Sequence, residues 1–224
     1  MLVLITGMMR SGSTFTFNVA KHLLTSRGES AFWEATEHLD ESLKAQGHAY
    51  DHLIFKQHLG DEFSRLLIRQ DCVRSICSYR DPMEAMASWM QVFGTPFDQT
   101  LRLFEQAIDF VAFQRDRALM VRCEDIEQKP ADVIRAIARH LDVPVTAEAI
   151  AALAASLDKE TVKTRYDNLR KDDANVHDTG FSFYDRDTFF HRRHVRGGDA
   201  IASEAFFSDD ERAAIRKTLI LTNA

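Results

Sequence analysis

Five short apolar runs punctuate the chain: "LVLIT" (2–6), "SAFWEA" (30–35), "HLIFKQH" (52–58), "RSICSYR" (74–80) and "ALMVRC" (118–123). Most are continuous rather than alternating, the pattern of strands buried on both faces of a parallel sheet. Helix-like stretches separate them. From Thr14 to Ser26 the apolar positions Phe15, Val19 and Leu23 recur every four residues, and Gly28 supplies a stop. "DPMEAMASWMQVF" (81–93) opens with Asp81 as N-cap, Pro82 at the first helical position and Glu84 placed for a capping box. "PADVIRAIARHL" (130–141) and "TAEAIAALAASL" (146–157) are amphipathic, and "SDDERAAIRKTLI" (208–220) reads as a further helix begun by Ser208. Alternating strands and helices predict a three-layer α/β/α architecture around a central, mostly parallel five-stranded sheet.

Regular patterning stops between about 173 and 203, where "FSFYDRDTFFHRRHVRGGDA" mixes aromatic and basic residues. A stretch of that length without regular structure is expected to be a mobile lid on a single domain spanning 1–224. The size and a hydrophobic content of 45% suit one well-filled core. A formal net charge of −6 argues against coating nucleic acid by bulk electrostatics, so an anion site must be local. Three cysteines without paired spacing (Cys72, Cys77, Cys123) suggest free thiols in a reducing compartment. The first apolar run is too short for a membrane span and lacks a basic leader, which points to a strand and a cytoplasmic protein.

The first strand runs into "GMMRSGSTF" (7–15) and then into a helix. In that context the backbone N–H groups of Arg10, Ser11, Gly12, Ser13 and Thr14 can converge on an anion at a helix N-terminus, where the helix dipole also favours negative charge. The Walker pattern would place a lysine where this chain has Ser13, so an ordinary ATP or GTP hydrolase is disfavoured. Arg10 supplies a cation instead, able to hold a phosphate or a group attached to it through bidentate hydrogen bonds. A glycine turn with no ligand is the plainer alternative. Polar residues at other strand ends weigh against it: Lys56 and His58 end one run, Arg80 another, and Glu124 and Asp125 follow a third. In an open parallel sheet the ligand crevice lies outside the carboxyl ends of the strands.

Together these residues resemble the sulfotransferases that use 3′-phosphoadenosine 5′-phosphosulfate (PAPS), whose fold is P-loop-NTPase-like. "MMRSGSTF" is similar to their 5′-phosphosulfate loop, PKSGTTW, with Arg10 in place of its lysine and Phe15 in place of its tryptophan. "FKQHL" (55–59) resembles KTHLP, "YRDPMEAMAS" (79–88) keeps an Arg and a Ser eight residues apart, "CEDI" followed by "KP" resembles YEDL and its downstream proline, and "VRGGDA" (195–200) resembles RKG. The matches fall in family order over roughly residues 5–200. Departures are Cys123 for the tyrosine of YEDL, "IASE" for GDWK, and no KxxxTVxxxE dimer signature, which leaves oligomeric state open.

The resemblance implies in-line transfer of a sulfuryl group to a hydroxyl or amine, leaving adenosine 3′,5′-bisphosphate and needing no metal. It implies His58 as general base, with Lys56 and Arg10 facing the leaving group and Glu34 as reserve base. It also implies Arg80 and Ser88 at the 3′-phosphate, closed over by Arg196, Gly197 and Gly198. Phe15 and Tyr166, the latter in "TRYDNL" (164–169), are expected near the adenine. Lys56 and His58 are two apart, so strand geometry points both to one side. The acceptor is a small molecule, a glycan or a carrier-linked group, and the aromatics of 181–190 either line its pocket or dock the lid. Two competitors are a P-loop small-molecule kinase and a catalytically inactive nucleotide-binding protein of the same fold.

Overall fold

The computed structural model describes residues 1–26, 28–46, 49–178, 180, 183–191 and 203–222. Strands β1 (Leu2–Gly7), β2 (Ala31–Ala35) and β3 (His52–Lys56) alternate with helices α1 (Ser13–Thr25) and α2 (Leu39–Gln46). Helix α3 (Glu62–Arg69) leads to β4 (Arg74–Tyr79), α4 (Pro82–Phe93), α5 (Phe97–Gln114) and β5 (Leu119–Arg122). Four helices follow: α6 (Cys123–Gln128), α7 (Pro130–His140), α8 (Ala147–Ser156) and α9 (Lys159–Tyr166). A hairpin of β6 (Val176–Asp178) and β7 (Phe183–Asp185) precedes α10 (Ser203–Phe206) and α11 (Asp209–Thr222).

All five predicted strands form one sheet, in the order β2-β3-β1-β4-β5, and every pairing in it is parallel. The apolar runs are continuous because both faces are covered. Val3, Ile5, Ile54 and Ile76 pack against α1, α7 and α8 through residues such as Phe17, Val19, Ile134 and Leu153. Leu4 and Phe55 point the other way, to Leu39, Ile68 and Phe110 of α2, α3 and α5. That is the two-residue period of a strand serving two cores at once. A third cluster joins Met8 and Met9 of the first loop to α4, α5 and α11.

Local capping explains several starts. Asp81 Oδ1 accepts from Glu84 N at 3.0 Å, but the Glu84 carboxylate turns to Arg80 instead of completing a capping box. Ser208 and Glu211 do complete one: Ser208 N donates to Glu211 Oε2 at 2.8 Å and Glu211 N to Ser208 Oγ at 3.3 Å.

Two expectations change. Helices α2, α3, α5, α6, α9 and α10 lie where no helix is predicted from the pattern, α5 being 18 residues long. Its C-terminal Gln114 is buried and bridges the sheet, its Oε1 accepting from Thr6 Oγ1 at 2.8 Å and Ser75 Oγ at 2.7 Å. The stretch from 173 is not without regular structure, because β6 and β7 pair antiparallel. Two three-residue strands are too short to show a period, and the hairpin depends on docking. Asn18 Nδ2 donates to Thr188 O at 2.8 Å, Lys21 Nζ to Asp187 O at 2.7 Å, and Phe189 lies against Phe17 with centroids 4.4 Å apart.

Candidate active site

Strand β1 lies between β3 and β4, so the chain's return across it opens a crevice at the carboxyl ends of these three strands. The loop 7–14 fills that edge. Gly7 has φ +134°, and a Cβ there would stand 2.2 Å from Ser78 O. Gly12 has φ +93°, and its Cβ would stand 2.4 Å from Ile126 Cδ1. Backbone lies where a side chain cannot. Between them Arg10 adopts φ +64°, an uncommon conformation for a side-chain-bearing residue and a frequent mark of a functional turn. Gly12 caps α1 without a side-chain hydrogen bond and the first turn has no acidic residue, so no side chain of that turn offsets the helix dipole.

At the end of β3, Lys56 and His58 do face one side: Lys56 Nζ and His58 Nε2 are 3.2 Å apart. His58 Nδ1 lies 2.7 Å from Gly7 O. A carbonyl accepts only, so Nδ1 carries the proton and Nε2 presents its lone pair to the ammonium. Burial and the neighbouring Lys56 charge push the His58 pKa down to about 3, against the hydrogen bond to Gly7. Burial lowers Lys56 to about 8, and Glu37 opposes that fall. Glu37 was not among the expected site residues, yet it accepts from His58 N at 3.0 Å and from Leu59 N at 3.0 Å. Glu34, by contrast, sits in register with Phe55, and among the described residues no hydrogen bond joins it to His58 or Lys56.

The cations expected at the nucleotide are partnered differently from the expected pattern. Ser88, buried on α4, accepts from Arg10 Nε at 3.1 Å, while Arg80 Nε donates to Glu84 Oε2 at 2.9 Å. Arg80 and Glu84 are four apart, on either side of the Asp81 N-cap of α4, and meet by that short spacing. Arg10 and Ser88 meet only because β1 and β4 are adjacent. His191, which follows the hairpin, belongs to the same neighbourhood: its ring lies 5.9 Å from Phe93, and burial together with the Arg10 and Lys56 charges lowers its pKa to about 3.

Other expected site residues are occupied by structure. Ser11 Oγ is turned inward, donating to Met8 O at 2.6 Å and lying 2.7 Å from Ser78 Oγ, so its backbone rather than its hydroxyl faces the loop's concavity. Ser13 and Thr14 are buried at the head of α1, with Thr14 O accepting from Asn18 Nδ2 at 2.7 Å. Phe15 is buried in the core between α1 and the sheet. Tyr166 is buried against Phe190, centroids 5.1 Å apart, and its hydroxyl accepts from Thr188 Oγ1 at 3.0 Å. A base stacking on either ring would have to displace this packing. Cys123 is buried, its thiol pushed up to about 11 chiefly by burial. Arg196, Gly197 and Gly198 lie outside the described residues.

The aromatics after β6 serve docking: Tyr184 and Phe189 join the α1 core and Phe190 packs with Tyr166. An apolar cavity of about 430 Å³ lies instead between α4 and α5, lined by Trp89, Phe93, Thr95, Pro96, Gln99 and Leu103. Its Phe93 is the residue that His191 touches.

No family model matches the chain, and no curated protein does. Solved structures do. A mouse sulfotransferase, SULT7A1, complexed with PAP, is 14% identical over 98% of this chain and 83% of its own, with a TM-score of 0.68. Retinol dehydratase in complex with androsterone and inactive cofactor PAP is 16% identical over 99% of this chain and 80% of its own, TM-score 0.65. The same enzyme with retinol and PAP is 13% identical, with the same coverage and a TM-score of 0.63. The chain therefore has the sulfotransferase fold, a P-loop-like three-layer α/β/α architecture. Among the described residues no helix is long and apolar enough to cross a membrane.

Proposed function

We propose that this chain is a PAPS-dependent sulfotransferase. The observation that carries the reading is the meeting of Lys56 and His58 with the glycine loop at a helix N-terminus without a side-chain cap, where Arg10 and Lys56 both act on His191, in a fold whose solved neighbours hold PAP. PAP is the product that sulfuryl donation from PAPS leaves behind. The loop N–H groups and Arg10 would hold the 5′-phosphosulfate, and Arg80 with the segment 196–198 the 3′-phosphate.

The donor supplies an activated sulfuryl group on a phosphate leaving group. Toward it this chain's residues do three things. Arg10 and Lys56 place positive charge where negative charge builds up on the departing phosphate oxygen, with no metal required for that role. His58 already has the tautomer a base needs, with Nε2 unprotonated. Its low pKa stems partly from Lys56, so an anion that draws the ammonium away raises His58 toward useful basicity. The proton of the acceptor hydroxyl or amine then passes to Nε2 as the acceptor oxygen or nitrogen bonds to sulfur. The cavity beside Phe93 suits the apolar body of an acceptor, in keeping with the androsterone and retinol of the neighbours.

Calorimetric titration with adenosine 3′,5′-bisphosphate, 5′-AMP and ATP–Mg²⁺ tests the reading. Binding that requires the 3′-phosphate, weakened by roughly tenfold or more in Arg80→Ala, is the expected result. Preference for ATP–Mg²⁺ would favour a kinase, and nucleotide binding without turnover over a broad acceptor panel would favour an inactive relative.

A further inference from the structure

Glu37 belongs to no motif that marks the site; it lies on the short segment between β2 and α2. Its two carboxylate oxygens take the consecutive backbone N–H groups of His58 and Leu59, each at 3.0 Å, and the Gly60 N–H also bears on it. Successive backbone N–H groups turned one way form an anion-binding nest, here filled by the chain's own carboxylate. One residue earlier, Thr36 N donates to Lys56 O at 3.0 Å. The pair 36–37 thus grips the end of β3 from Lys56 to Gly60.

We propose that Glu37 is a positioning residue that holds the backbone of His58 in place and, through its charge, keeps Lys56 cationic beside the leaving group. The catalytic part of this rests on the sulfotransferase reading. Glu37 faces opposing influences: burial raises its pKa, while the three backbone N–H groups and Lys56 lower it. Among the described residues, the titratable and charged groups around Lys56 are His58 on its own loop, Glu37 from the β2–α2 segment and His191 from beyond β7, with Arg10 acting on His191 as well. Among the described residues, Glu37 is the carboxylate whose charge counters the burial of Lys56. Without that charge, the ammonium loses its proton at a lower pH.

The test is to titrate Lys56 Nζ by nitrogen-detected NMR in the wild-type protein and in Glu37→Gln and Glu37→Asp. The wild-type midpoint should fall near pH 8, that of Glu37→Gln below it, and that of Glu37→Asp, which keeps the charge on a shorter stem, between the two. An unmoved midpoint in Glu37→Gln overturns the proposal. A second arm holds even if those variants do not fold: in Lys56→Met the Glu37 carboxyl carbon should titrate at higher pH than in the wild type, and an unchanged midpoint overturns the coupling. Where transfer is measurable, the alkaline limb of kcat in Glu37→Gln should move to lower pH, a shift that loss of a merely structural contact would not produce. The titrations assume nothing about the reaction. Failure to bind the bisphosphate would remove the sulfotransferase reading alone, and unmoved titrations would remove the Glu37 coupling alone.

Discussion

The two edges of the sheet are both polar, but they treat charge in opposite ways. At the amino edge, charged groups meet partners in the chain: His52 Nε2 lies 2.8 Å from Glu29 Oε2, the Met1 ammonium donates to Asp51 O at 2.6 Å, and Arg74 meets Asp142 at 3.0 Å. The last pair is open to solvent, its side chains 50% and 71% exposed, so water screens most of its attraction. At the carboxyl edge, Arg10, Lys56 and Arg80 gather with the imidazoles of His58 and His191, against the carboxylates of Glu37 and Glu84. Burying positive charge where protein replaces water costs stability, and the values of Lys56 and His58, depressed chiefly by burial, record that cost. A chain tolerates such a surplus where an anion is to be met.

The sharpest way to break the contrast is at His58. His58→Ala should lower sulfuryl transfer by roughly 10²–10⁴-fold and leave the affinity for the bisphosphate, read by calorimetry, almost unchanged. Undiminished turnover would move the base elsewhere, with Glu34 next in line. Gly7→Ala comes second: a methyl 2.2 Å from Ser78 O at a positive φ should cost on the order of 2–4 kcal/mol in urea unfolding. A wild-type urea midpoint would mean that the seam between the loop and β4 yields easily.

Acid separates the edges next. His58 and His191 are held neutral down to about pH 3 in the folded protein, whereas in the unfolded chain they protonate near 6.5. Between those values the unfolded state binds more protons, so stability present at neutral pH is lost as pH falls from about 6.5 toward 3. Urea midpoints across that range should drop in the wild type and less steeply in His58→Ala; identical slopes would show that His58 is not held neutral. The smallest effect belongs to the amino edge: Arg74→Ala should change stability by no more than about 1 kcal/mol and nucleotide affinity not at all. A measurable loss of affinity would mean that the two edges are electrostatically linked.

The strands were legible because burial on both faces leaves short, mostly continuous apolar runs bounded by polar residues. The glycine loop was legible because Gly7 and Gly12 stand where backbone must pass close to Ser78 and Ile126. The meeting of Lys56 and His58 followed from a spacing of two. Helix α5 was missed: it begins after Pro96 without a side-chain cap, and Gln114 acquires its role only by reaching Thr6 and Ser75 across the layers. Glu37 leaves no mark in the sequence, because it stands on the turn beyond β2 and gains its role only by reaching the backbone N–H groups of His58 and Leu59.

Ser88 was paired with Arg80 on the strength of a motif, and in the structure it takes Arg10 while Arg80 takes Glu84. That exchange marks the boundary between what the sequence determined and what the tertiary structure decided. Periodicity, caps and glycine placement are properties of neighbours along the chain, so they determined the layers, the loop and the strand-end residues. Which cation stands against which oxygen depends on the order β2-β3-β1-β4-β5, which brings residues 78 apart within 3.1 Å. Only the assembled sheet sets those distances, and with them the charge balance at its carboxyl edge.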